Sequence, residues 1–214
     1  MSEKETQEKA IQALRKLYRE KRGAIRRRLS EFSSVAPSDY FYELAYCLLT
    51  PQSSAERADR VVEMLRKASF RETGIDPEPF LRERSCYIRF HRTKARHLLL
   101  ARKQASTVIE TLGNGHPASE LREWLVRNVK GLGYKEATHF LRNIGKNNGL
   151  AILDRHILRN LKRHGVLRSI PSSLSRTKYL AIERRFGMFA ERIGIPVDEL
   201  DLLFWSMETG SIRK

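Results

Sequence analysis

Apolar residues recur along this chain at helical spacing. No segment shows the apolar–polar alternation between hairpin turns that marks a strand. The pattern therefore predicts an all-α protein. A long polar helix spans residues 5–32, and a strongly apolar one, 39–50, is stopped by Pro51. Ser53 with Glu56 reads as a capping box that opens a helix through about Lys67. A short helix follows Pro77 or Pro79, then come 93–111 and 119–129, the latter capped by Ser119. After the turn Gly131-Leu132-Gly133, residues 134–144 form a helix that Gly145 is placed to end. Asp154 caps a helix ending at Gly165, and two more run from about 175 to 187 and from 197 to 209. No internal repeat or low-complexity tract interrupts the series.

Charge changes this picture most. The 214 residues carry 41 Lys and Arg against 25 Asp and Glu, a formal net charge of +16, which makes a polyanion the first partner to consider. Hydrophobic residues make up 41%, too many for a disordered chain. The positive charge is also clustered. Residues 155–185 hold nine Lys/Arg against Glu183 alone, and residues 82–103 hold eight against Glu83. Two basic stretches flanking the glycine turn favour a phosphate-binding groove over merely solvated faces. The run Arg26-Arg27-Arg28 is placed to complement the dipole at the end of the first helix. Two cysteines, Cys47 and Cys86, cannot supply a four-thiolate zinc site or an iron–sulfur cluster, and they fit buried thiols in a reducing compartment. The N-terminus lacks a signal-peptide core, and no stretch approaches the ~18 apolar residues of a membrane helix. The expected location is therefore the cytoplasm, at the nucleoid, with no membrane association.

The candidate chemistry lies around the glycine turn. Gly131 and Gly133 let the backbone turn tightly beside the N-terminus of the following helix, where bare amides and the helix dipole suit a phosphate oxygen. A plain helix–helix turn would use glycine in the same way. Lys135 opens the second helix, where the positive field and partial burial would lower its pKa toward nucleophilic use; an ordinary phosphate-contacting lysine is the other reading. Asp154 follows the apolar run of LAILDRHIL. It reads as a helix N-cap, and a carboxylate held by helix amides could also stabilise a developing sugar cation.

The block from Val129 to Leu161, with its helix-hairpin-helix, its lysine and the downstream LDRHILRNL, resembles the helix-hairpin-helix superfamily of DNA glycosylases. Within it, the closest resemblance is to the compact archaeal-type 8-oxoguanine DNA glycosylase/AP lyases. The segment Leu49-Thr-Pro-Gln-Ser-Ser-Ala and the C-terminal stretch from Asp201 to Lys214 extend the likeness over nearly the whole chain. The resemblance implies two helical subdomains with the active site in the cleft between them. Residues 36–145 would carry the helix-hairpin-helix, and residues 1–35 with 146–214 would form the second domain. It further implies that Lys135 is the Schiff-base nucleophile and Asp154 the carboxylate that assists base departure. Gln52 would fill the gap left by an extruded nucleotide, and Phe90, beside Arg89, would wedge next to the estranged base. Trp205 and Lys214 would line the base pocket, with the terminal carboxylate a candidate acceptor for the N7–H that distinguishes 8-oxoguanine from guanine. The implied partner is double-stranded DNA containing 8-oxoguanine, bound by a monomer with no cofactor and no catalytic metal.

The residues by themselves leave alternatives open. Trp205 sits among Leu200, Leu203, Phe204 and Met207 and could be plain core, and Gln52 could simply cap the preceding helix. Phe90, flanked by Arg89, His91 and Arg92, is in an unusual setting for a core residue and suits base stacking. His139 falls one helical turn after Lys135 and reads as packing rather than as a metal ligand. Two rival functions are a glycosylase for another lesion and a non-catalytic DNA-binding module. The second gives no reason for Lys135 and Asp154.

Overall fold

A computed structural model describes residues 3–212. Among these residues the chain is helical throughout, with no strand. In chain order the helices are α1 (Glu3–Ser33), α2 (Tyr40–Leu49), α3 (Ala55–Lys67), α4 (Phe70–Thr73), α5 (Glu78–Arg82), α6 (His91–Lys103), α7 (Ala105–Gly113), α8 (Ala118–Asn128), α9 (Tyr134–Asn143), α10 (Arg155–Arg163), α11 (Arg176–Ile193) and α12 (Val197–Thr209). They fall into two compact units, one spanning Val35–Lys146 and the other combining the segment up to Ser34 with the segment from Asn147 onward.

In the central unit, α2 is the core helix. All ten of its residues are buried, and α3, α6, α7 and α9 pack around it. Its one acid, Glu43, accepts a hydrogen bond from Asn143 Nδ2 of α9 at 3.1 Å, so burial does not leave the carboxylate unpaired. Each leucine buried here contributes about 1.5–3 kcal/mol relative to exposure. Cys47 and Cys86 are both buried thiols of this unit, not joined in a disulfide.

In the other unit, α12 packs against α1, α10 and α11. The long α1 meets the need for burial with a single stripe, Ile11, Leu14, Tyr18, Ile25 and Phe32, at helical spacing. Tyr18 donates to Glu199 Oε2 of α12 at 2.6 Å, and Arg26 Nε pairs with Glu199 Oε1 at 3.2 Å. The arginine run therefore does not serve the dipole at the end of α1: its last turn holds no basic residue, Arg26 ties to α12 and Arg28 pairs with Glu31.

Helix boundaries depart from expectation where tertiary contacts outweigh local signals. Ser54, not Ser53, caps α3, its side chain accepting from the Arg57 amide. α8 begins after Pro117 with no side-chain cap, so Ser119 lies inside it. The predicted helix 93–111 is two helices broken at Gln104, where no Gly or Pro signals a break and both pieces pack on α2. α11 runs past Gly187 to Ile193 because Phe186, Phe189, Ala190 and Ile193 are all buried along it. It ends instead at Gly194, with φ +69° and Ile195 N–H donating to Ala190 O.

Candidate active site

The glycine turn joins α8 to α9. Buried Val129 and Leu132 anchor it, and Gly131 sits at φ +97°, where L side chains are strained. A Cβ there would also lie 2.3 Å from His97 Nδ1 of α6, so close approach and backbone angle both demand glycine. Burial foremost, then Lys130 and Arg96, lowers the His97 pKa, which keeps an uncharged imidazole against the turn at neutral pH. Gly131→Ala is accordingly expected to destabilise the protein by about 1–3 kcal/mol from the backbone angle alone, read as a lowered Tm. An unchanged Tm would show that the turn can relax around a methyl group.

Gly133 is the extended N-cap of α9 and brings no side chain to the first amides of that helix. Lys135 stands in the first turn, its side chain 29% exposed and its Nζ 3.2 Å from Glu136 Oε1. The same carboxylate folds back toward Gly133, whose Cβ would lie 3.0 Å from Glu136 Oε2. An anionic group is thus already held beside this helix N-terminus. Glu136 was not singled out from sequence, because an acid in the first turn of a helix is commonplace. Tyr134 is fixed from below: the buried Arg122 guanidinium lies 5.2 Å from its ring centroid, and Arg122 Nη1 donates to Thr138 Oγ1 at 3.3 Å. His139 packs edge-on against Tyr46 of α2 in the core, a partner on another helix rather than along its own.

Lys94 of α6 is the other residue the sequence did not single out. The residue is 5% exposed, and its Nζ donates to Leu49 O and Pro51 O, both at 2.6 Å, and to Ser53 Oγ at 3.3 Å. Burial, with the Lys135 charge as the second cause, brings its pKa down to about 8. Ser53 Oγ also accepts from the Arg89 amide at 3.2 Å. The two turns stitched together here carry Gln52 and Phe90. Both are exposed, and both hold left-handed backbone angles uncommon for non-glycine residues, φ +54° and +60°. Gln52 lies beyond the end of α2, whose C-cap is Thr50. Phe90 is 49% exposed, with the Arg89 guanidinium 4.9 Å from its ring centroid.

In the other unit, Asp154 caps α10: Oδ1 accepts from the His156 and Ile157 amides at 2.7 and 2.8 Å. Its second oxygen accepts from Trp205 Nε1 of α12 at 2.8 Å. Trp205 is half-buried and lies edge-on to His156, so it is not plain core. Lys214 lies outside the described residues.

An amine at the head of the second hairpin helix, with glycine amides beside it, is equipment for attack on a phosphate-flanked sugar. Residues 25–195 match the family Ogg-HhH, 8-oxoguanine DNA glycosylase. The chain belongs to this family. It is 39% identical to the 8-oxoguanine DNA glycosylase/AP lyase of Fusobacterium nucleatum over 210 residues, covering 94% of this chain and 96% of that protein. It is 42% identical to the Korarchaeum cryptofilum enzyme of the same name over 194 residues, 90% of this chain and 91% of that one. Its backbone matches the crystal structure of the Methanocaldococcus jannaschii 8-oxoguanine glycosylase/lyase in complex with a 15mer DNA containing 8-oxoguanine. That match has a TM-score of 0.85 at 34% identity over 96% of this chain and 99% of the other. The compact branch of 8-oxoguanine glycosylases suggested by the sequence is thus the right one, and the all-α fold agrees. Among the described residues, no helix of this glycosylase-family chain is long and apolar enough to cross a membrane.

Proposed function

We propose that this protein is a bifunctional DNA repair enzyme that excises 8-oxoguanine from double-stranded DNA and then cleaves the strand. The observation that carries this reading is similarity to 8-oxoguanine glycosylase/AP lyases over nearly the entire chain. The domain of residues 36–145 supplies the hairpin and Lys135, and the domain of residues 1–35 and 146–214 supplies Asp154. Gly131 and Gly133 hold a backbone phosphate, Gln52 and Phe90 occupy the space vacated by the extruded nucleotide, and Arg89 adds charge beside the wedge.

For attack, the Lys135 amine must leave Glu136 and give up its proton. It then forms a bond to C1′ as the bond from C1′ to N9 breaks, and the base departs with the electron pair and takes up a proton. The sugar opens to a Schiff base. Loss of a C2′ proton expels the 3′ phosphate by β-elimination, and water releases the lysine. Asp154, charged and held by three donors, faces the positive charge that develops on the sugar. Trp205 fixes that carboxylate while contributing, with Lys214, to the base pocket. No cofactor or metal is needed for these steps. A monomer working on the cytoplasmic nucleoid fits such a substrate.

Borohydride reduction during the reaction is expected to trap a covalent protein–DNA adduct with an 8-oxoguanine duplex and none with the same duplex carrying guanine. An adduct on a preformed abasic site but not on 8-oxoguanine would redirect the assignment to another lesion. No adduct on either would leave a DNA-binding module.

A further inference from the structure

Lysine is rarely buried without a charged partner, because removing an ammonium from water is costly. Lys94 is buried, and the three acceptors around Nζ are two main-chain carbonyls and a hydroxyl. Two of these belong to the end of α2 and the turn behind it, where the helix dipole favours a cation. Main-chain bonding links Lys94 to the other turn as well, since its own amide donates to Phe90 O at 3.0 Å. One residue therefore grips the Gln52 turn with its side chain and the Phe90 turn with its backbone, and the Ser53–Arg89 hydrogen bond closes the connection.

We propose that Lys94 is a positioning residue for base extrusion, holding the Gln52 and Phe90 turns in the one arrangement from which both side chains enter the duplex. The inference rests on the reading above, in which those two side chains are inserted. Neither turn has a glycine to make its left-handed angle easy, so each conformation must be imposed by contacts. The Lys94 side chain makes those contacts to the Gln52 turn directly and to the Phe90 turn through Ser53 Oγ, which also accepts from the Arg89 amide. With its pKa brought down to about 8, the amine still carries its proton at neutral pH and offers three donors to three acceptors. Lys135 and Glu136 are the charged groups that face it, the first opposing that charge and the second favouring it.

The test separates extrusion from chemistry. An intact 8-oxoguanine nucleotide must be unstacked and unpaired, whereas a preformed abasic site costs far less to turn out. Single-turnover excision of 8-oxoguanine and strand cleavage at an abasic site are measured on the full chain, with thermal unfolding as the folding control. Lys94→Met is expected to slow excision about thirtyfold and abasic cleavage less than about threefold, because only the first reaction depends strongly on extrusion. Ser53→Ala, which leaves Lys94 in place and removes the hydroxyl shared by both turns, is expected to give the same split at about threefold to fivefold. Equal losses in both reactions, or no loss of excision, would overturn the proposal. If Lys94→Met fails to fold, Ser53→Ala decides the matter by the same criterion. Lys135→Gln, run alongside, must lose both reactions. If it retains either, the underlying reading of the active site fails instead.

Discussion

Lys135→Gln is expected to abolish the borohydride-trapped adduct and to lower 8-oxoguanine excision at least about a thousandfold, ~4 kcal/mol of barrier. Glutamine is one atom shorter than lysine and keeps a polar end on the first turn of α9, but it has no nucleophilic amine. The fold should hardly notice the change. The lysine side chain is 29% exposed, and its ion pair is with its own sequence neighbour, Glu136, a type of contact worth only ~0–1 kcal/mol. DNA affinity should fall only slightly, because the substitution removes one cation from a chain with 41 Lys and Arg against 25 Asp and Glu. The decisive pattern is an intact Tm and near-intact binding with no adduct and no strand cleavage. If the variant still cleaved abasic DNA, the nucleophile would have to be another amine. Lys94 is poorly placed for that task, since its Nζ is committed to Leu49 O, Pro51 O and Ser53 Oγ.

Features that depend on residues close in sequence were legible before the structure. The glycine turn, the apolar α2 stopped by Pro51 and the capping of α10 by Asp154 all follow from short-range rules. Among the two adjacent serines at 53 and 54, local rules did not choose correctly. Ser53 is drawn off by Arg89 and Lys94, some 36 and 41 residues later, and Ser54 takes the cap. Lys94 itself was one of eight basic residues in a stretch read as part of a phosphate-binding groove. No local pattern marks a lysine whose acceptors lie at the end of a helix 45 residues earlier. The left-handed angles at Gln52 and Phe90 were invisible for a related reason. Neither position is Gly, Asn or Asp, the residues that announce such a conformation. The bond from Trp205 to Asp154 spans 51 positions, so sequence offered a choice between core and pocket but not the contact that distinguishes this tryptophan.

That contact makes Asp154→Asn the sharper of the two active-site substitutions. Asparagine caps helices about as well as aspartate, so α10 should persist, with the amide oxygen accepting from the His156 and Ile157 amides as Oδ1 does now. The amide nitrogen then falls where Oδ2 stood and points a donor at the Trp205 indole N–H, 2.8 Å away in the aspartate form. Turning the amide over satisfies the tryptophan but faces the two main-chain donors with a third. The first orientation loses one hydrogen bond and the second loses two, so the first is kept, at a stability cost of about 1–3 kcal/mol, toward the lower end for a site still half open to water. Under the proposed function catalysis should suffer more, because the substitution removes the charge assigned there to stabilising the sugar cation. Excision is expected to fall about 10²–10³-fold, the ~2.7–4 kcal/mol typical of removing one preorganised electrostatic contact. Cleavage of a preformed abasic site, where no glycosidic bond has to break, should fall less than about tenfold if the loss lies mainly in base departure. Single-turnover rates on the two substrates would show this split. Equal losses on both would assign Asp154 to holding the lysine or the sugar rather than to base departure, and an unchanged excision rate would leave it as a helix cap alone.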